Sequence, residues 1–269
     1  METYPKAAVD VGEERKQVLF GGQRAAKFIK DIVAGRAVDG RRYGFDSDFV
    51  ISLHDRVSMA PGVRGMFRQT DSTTIGGDPV RAHFEDLPGM MRLFGRWLEE
   101  QMQRLKEKPE DIVMALQTAA GAHYGLTMPD FHPFDNGNGR TARALMNAIL
   151  MFQSYELTAF GLAIPPIPII RSQKDEGHYI RSLKAVGKTK TLNPFMTFIA
   201  SKWIESLDER LRKIQSLVNL KTKADQNLID KLKRRKELLE QFVQVEKRHF
   251  PIPDYFGSRY VRFSNADTL

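Results

Sequence analysis

Apolar residues recur at three- and four-residue steps along most of this 269-residue chain. No other feature constrains the fold as strongly, because that period is the stripe by which amphipathic helices pack on one another. Between 11 and 36 the stripe holds Val18, Leu19, Ala25, Phe28, Ile29, Ile32 and Val33. It returns at 48–56, at 87–105 through Met90, Met91, Phe94, Trp97, Leu98 and Met102, and then at 112–124, 175–185 and 194–220. One stretch departs from it. From Pro61 to Pro79, Gly62, Gly65, Gly76 and Gly77 punctuate Met66-Phe67-Arg68 and Thr73-Thr74-Ile75, the pattern of a hairpin. The sequence therefore predicts an all-α protein with one small β-hairpin.

From 205 to 248 the apolar positions thin to Leu228, Leu232, Leu239 and Phe242 among alternating charges. This reads as a helical appendage that either folds back on the core or pairs with a second copy as a short coiled coil. Pro251 and Pro253 make the last residues, 250–269, an extended arm or tail. The basic run Lys231 to Lys236 lies among Asp230, Glu237 and Glu240, so a solvated helix face is preferred over a nucleic-acid or lipid site. Trp97 and Trp203 fall at core positions, and His54, His83, His123, His178 and His249 lack metal-ligand spacing.

With 42% hydrophobic residues the chain can bury a sizeable core, and the absence of cysteine excludes disulfides, thiolate metal sites and cysteine nucleophiles. Forty-one Lys and Arg against 33 Asp and Glu favour anionic partners in general. Residues 1–16 lack the apolar core of a signal peptide, and the longest apolar stretch, 159–170, is too short for a membrane span and is broken by Pro165, Pro166 and Pro168. The simplest setting is cytoplasmic, with secretion as an effector left open.

The chemistry concentrates in Phe131-His132-Pro133-Phe134-Asp135-Asn136-Gly137-Asn138-Gly139-Arg140-Thr141-Ala142-Arg143, directly before the apolar run 144–152. That order predicts a glycine turn feeding a helix N-terminus, where unpaired N–H groups and the helix dipole favour an anion. His132 is the candidate general base. Gly137 and Gly139 let the backbone close on phosphate oxygens, and Asn138 can donate from its amide. Arg140 and Arg143, three apart on one face, can fork onto different phosphates, and Asp135 is the carboxylate in reach that could hold magnesium. Taken singly, each feature also has a bland reading as a turn histidine, an ordinary turn or surface charge. Their conjunction in thirteen residues favours a hydroxyl attacking a nucleotide phosphate.

His132 to Arg143 resembles the signature of the Fic domain, His-Pro-Phe-x-Asp/Glu-Gly-Asn-Gly-Arg-x-x-Arg, and the resemblance covers roughly residues 45–205. It implies a Fic-type helical core with a β-hairpin flap and a C-terminal helical extension. Residues 1–44 would be an N-terminal helical segment, 45–205 the catalytic core and 206–269 the extension and tail. The implied activity is AMP transfer from ATP to a Ser, Thr or Tyr hydroxyl of a target protein, with magnesium or manganese. His132 would deprotonate the hydroxyl, Gly137, Asn138 and Gly139 would form the anion hole, and Arg140 and Arg143 would hold the outer phosphates. Thr74, Ile75 and Gly76 would lie on the flap that aligns the target by strand addition. Tyr179 would border the nucleotide base.

The chain departs from the signature at Asn136, where the family has an acidic metal ligand. Either Asn136 suffices, or Asp135 substitutes, or the enzyme is slow or uses another donor; successive loop residues point different ways, which ranks Asn136 above Asp135. The alternative function is a Fic-fold nucleotide- or partner-binding regulator with little transferase activity. The inhibitory pattern Ser/Thr-x-x-x-Glu-Gly/Asn occurs at Ser172 to Gly177, but inside the core-like region, and is read as chance. Restraint, if any, would then come from a separate antitoxin-like partner.

Overall fold

Each stretch with helical spacing forms a helix. The computed structural model describes residues 11–57, 66–71, 82–128, 130–154, 173–216, 223–245 and 248–256. Among these residues there are eight α-helices and no sheet. They are α1 (Val11–Val33), α2 (Ser47–Val57), α3 (Leu87–Glu107), α4 (Ile112–Thr127), α5 (Asn138–Gln153), α6 (Gln173–Thr189), α7 (Asn193–Ser216) and α8 (Lys223–Val245). Of the expected hairpin, Met66-Phe67-Arg68 are described and form no strand, while Thr74, Ile75 and Gly76 lie outside the described residues.

The centre of the molecule is α4, whose Ala115, Leu116, Ala119, Ala120, Ala122 and Leu126 are all buried. Small side chains on several sides allow neighbours to approach closely, and α5 packs along it most extensively. Asp111 caps α4 by accepting a hydrogen bond from the Met114 N–H at 2.9 Å. α1 and α2 cover the other side of α5, α3 packs on α2 and α4, and α7 brings α6 and α8 against the core. The α2–α3 contact requires Gly95, because a Cβ there would stand 2.5 Å from the Ser47 backbone nitrogen.

The appendage folds back. Leu228, Leu232, Leu239 and Phe242 are buried, and α8 lies along α7 and touches α4. Its basic run behaves as a solvated face with intramolecular partners: Lys236 pairs with Asp208 at 2.7 Å, while Lys231, Lys233 and Arg234 are exposed. The chain then returns to the centre. The Leu192 N–H donates to the Phe250 carbonyl at 2.7 Å, and the buried Tyr255 donates to the Gly121 carbonyl at 2.6 Å between the rings of Phe94 and Trp97. Both tryptophans join the core, Trp203 fully and Trp97 partly. No helix among the described residues is long and apolar enough to cross a membrane.

Candidate functional site

The loop between α4 and α5 is held in a conformation it would not choose alone. His132 has φ of 41°, a left-handed value that costs a non-glycine residue about 1–3 kcal/mol. Fixed partners surround it. The Arg68 Nε donates to the His132 carbonyl at 3.1 Å, and the Arg68 N–H donates to the Pro133 carbonyl at 3.0 Å. Phe134 is buried against the ring of His54, centroids 3.6 Å apart and nearly parallel. The same His54 ring donates from Nε2 to the Asn136 carbonyl at 2.9 Å.

Gly137 ends the loop at φ of 85°, where a side chain would be strained, and α5 starts at the next residue. No side chain caps that start and no acid lies in its first turn. Arg140 reaches toward the Val57 carbonyl at 3.5 Å and the Asn136 Oδ1 at 3.4 Å. Arg143 folds back along the helix: its Nη1 would lie 3.4 Å from a Cβ at Gly139. Cationic side chains at a helix start run against the dipole, so the arrangement favours an anion.

His132 is half-buried, and burial pushes its pKa below the ordinary value, so the ring is neutral at pH 7. The Arg68 charge pushes the same way, and the Thr127 carbonyl opposes both. Its Nδ1 is shielded from solvent without a well-formed hydrogen bond, which leaves Nε2 as the nitrogen able to accept a proton.

The structure assigns two of the expected donors differently. Asn138 is 2% exposed, and its side chain closes on the peptide of Phe134: Oδ1 accepts from the Phe134 N–H at 3.1 Å and Nδ2 donates to the Phe134 carbonyl at 2.6 Å. That amide locks the loop. The Gly137 N–H donates to the Asn136 Oδ1 at 2.7 Å, so an anion there would have to displace Asn136. Tyr179 is also buried rather than open to a ligand. Its hydroxyl meets His123 Nε2 at 3.0 Å, and the Arg143 guanidinium lies 5.7 Å from its ring centre. Burial raises its pKa and pushes that of His123 well below the ordinary value. Glu176 is exposed on α6 and forms no ion pair with Arg143.

Asn136 and Asp135 do not fit a metal ion in this arrangement. The Asn136 oxygen that would ligate one already accepts from an N–H and faces a guanidinium. Asp135 is an exposed single carboxylate, and no three His, Cys, Asp or Glu residues among those described are grouped as ligands. Sequence reasoning missed three residues of the site: Arg68, His54 and His123. His54 and His123 are polar side chains inside an apolar helical stripe and Arg68 follows Met66-Phe67 in the glycine-punctuated stretch, and those are the signals the chain offers for them.

Residues 44–150, which hold α2 to most of α5, match the Fic/DOC family. The chain is 36% identical over 166 residues to a protein adenylyltransferase Fic of Nematostella vectensis, covering 61% of this chain and 34% of that protein. It is 32% identical over 161 residues to the protein of that name in Drosophila grimshawi, covering 59% and 29% respectively. The chain thus spans about a third of the length of the curated relatives it matches. A solved structure of a Fic domain containing signaling protein from Bacteroides thetaiotaomicron aligns with 19% identity and a TM-score of 0.48, covering 89% of this chain and 77% of that one.

Proposed function

We propose that this protein, whose residues 44–150 match the Fic/DOC family, transfers AMP from ATP to a Ser, Thr or Tyr hydroxyl of a target protein. One observation carries the reading: a neutral, half-buried His132 stands at the mouth of an uncapped helix start that two arginines make strongly cationic. In the proposed step the target hydroxyl attacks the α-phosphorus and gives its proton to His132 Nε2. The new O–P bond replaces the bond to the β-phosphate, and pyrophosphate leaves. The N–H groups of Asn138 and Gly139, with Arg140 and Arg143, stabilise the charge that develops on the phosphates. The names of the relatives, protein adenylyltransferases, support this choice of group.

Labelled nucleotides test it. Incubation with ATP, labelled in the α-phosphate, should mark the protein or a lysate target, whereas GTP, UTP and CTP should not. His132→Ala should lower labelling by about 100- to 10,000-fold, the usual weight of a general base. Equal labelling in that variant would remove His132 from the mechanism.

A second reading is favoured by the satisfied Asn136 oxygen: a domain that binds nucleotide or a partner and transfers little. Asn136→Asp separates the two. Under this reading the substitution should raise transfer at least about tenfold by restoring a charged oxygen where an amide now stands. An unchanged rate would mean that Asn136 is adequate, if the wild-type protein transfers nucleotide, or that the site is not catalytic, if it does not.

A further inference from the structure

Arg68 is a charged side chain with no exposure at all, which demands a reason beyond stability. Its guanidinium makes four polar contacts with separate parts of the chain. Nε donates to the His132 carbonyl at 3.1 Å, Nη1 donates to the Thr70 carbonyl at 2.8 Å and pairs with Asp71 at 3.1 Å, and Nη2 donates to the Ala82 carbonyl. Its own N–H holds the Pro133 carbonyl, so both peptide oxygens that follow the His132 and Pro133 α-carbons are bound to one residue. His132 meanwhile sits at a φ of 41°, a value that persists only where the surroundings impose it.

We propose that Arg68 is the positioning residue of His132: it imposes the strained backbone that aims the imidazole, and it joins the segments 66–71 and 82–86 to the catalytic loop. Lysine could not do this, because one ammonium cannot reach the His132, Thr70 and Ala82 carbonyls in their different directions at once. The side chain also places a fixed cation beside the ring. Asp71 pairs with that cation, is itself half-exposed and also meets His83 at 3.6 Å. Glu85 and Asp86 on 82–86, His54 and Asp55 on α2, and Asp130, Asp135, Arg140 and Arg143 along the loop and the start of α5 are the other charged or titratable side chains on the segments around it. The proposal rests on His132 being the base of the proposed transfer, and its test is chosen to stand apart from that reading.

The experiment pairs transfer kinetics with the titration of the His132 imidazole, followed by NMR in the full chain and assigned by the resonance missing from His132→Ala. Arg68→Lys keeps the charge and loses the fork. It should lower kcat about 100-fold, as a misplacement near 1 Å does, with the nucleotide KM changed less than about twofold. Its imidazole titration should stay near the wild-type midpoint. Arg68→Gln loses the charge as well, so the ring should titrate at higher pH than in wild type, and the acid limb of the rate profile should move up with it. Three results would overturn the proposal: a His132 midpoint unmoved in Arg68→Gln, a kcat in Arg68→Lys equal to wild type, or a loss in both variants that vanishes once rates are scaled to the folded fraction. If the wild-type protein transfers no nucleotide, the reading of the reaction fails, and the ring midpoint with the His132 backbone shifts still decides the role of Arg68.

Discussion

Asn138 is where two accounts of this site differ most sharply in what they predict. In a phosphate cradle its amide faces the ligand, whereas here both amide atoms are spent on the buried Phe134 peptide. Asn138→Ala would leave that N–H and carbonyl without partners, at about 1–3 kcal/mol each. Better helix propensity of alanine at the first position of α5 returns about 0.5 kcal/mol. The net loss is then about 1.5–5.5 kcal/mol, which for a chain of this size lowers Tm by about 3–20 °C. Asn138→Asp sharpens the test. It keeps the acceptor for the Phe134 N–H but sets a carboxylate oxygen against the Phe134 carbonyl, which favours the protonated acid in the fold. Its deficit relative to wild type should therefore shrink as pH falls through the raised pKa, because the acid can then donate where the amide did. Calorimetric melts between pH 7.5 and about 4, with nucleotide binding measured by titration calorimetry, read both effects. If Asn138→Ala melts within about 1 °C of wild type while nucleotide affinity collapses, the side chain belongs to the ligand and the reasoning fails.

Two further outcomes follow from buried groups. His54, His123 and His132 all titrate below the ordinary 6.5 because burial disfavours their charged forms. The unfolded chain therefore takes up more protons below pH 6.5 and stability declines as pH falls, approaching about 1.4 kcal/mol per unit for His123 while it stays neutral in the fold. Urea midpoints at pH 8, 7, 6 and 5 should drop across the last two steps, and a flat or rising series would contradict the burial argument. Gly95→Ala forces a methyl into the Ser47 backbone and should cost about 1–3 kcal/mol despite the helix preference of alanine. A thermal melt as high as wild type would show that α2 can withdraw freely.

The helices were legible because one period writes them. Met90, Met91, Phe94 and Leu98 mark the buried face of α3 without reference to any other element, and the same holds for Leu228, Leu232 and Leu239 on α8. The helix start after Gly137 was equally local: a glycine with positive φ followed by an apolar run leaves few other options. Where α8 goes was not local. A stripe of four apolar residues fits a partner chain as well as it fits α7, and only the packed core shows that the stripe is already covered.

For the site, the chain alone determined which chemistry is at hand: a histidine, two glycines and two arginines within one turn, placed by their order at a helix N-terminus. Tertiary structure decided what each atom is free to do. A neighbour 64 residues away in sequence binds the His132 carbonyl, and one 82 away binds the Asn136 carbonyl. The Asn138 amide, open to a ligand on paper, turns inward because a buried peptide leaves its own N–H and carbonyl to be satisfied. Composition and order can name a base and an anion site, since those depend on residue type and local backbone. They cannot say which polar atoms remain for a substrate, because that is settled by what the rest of the fold has already bound.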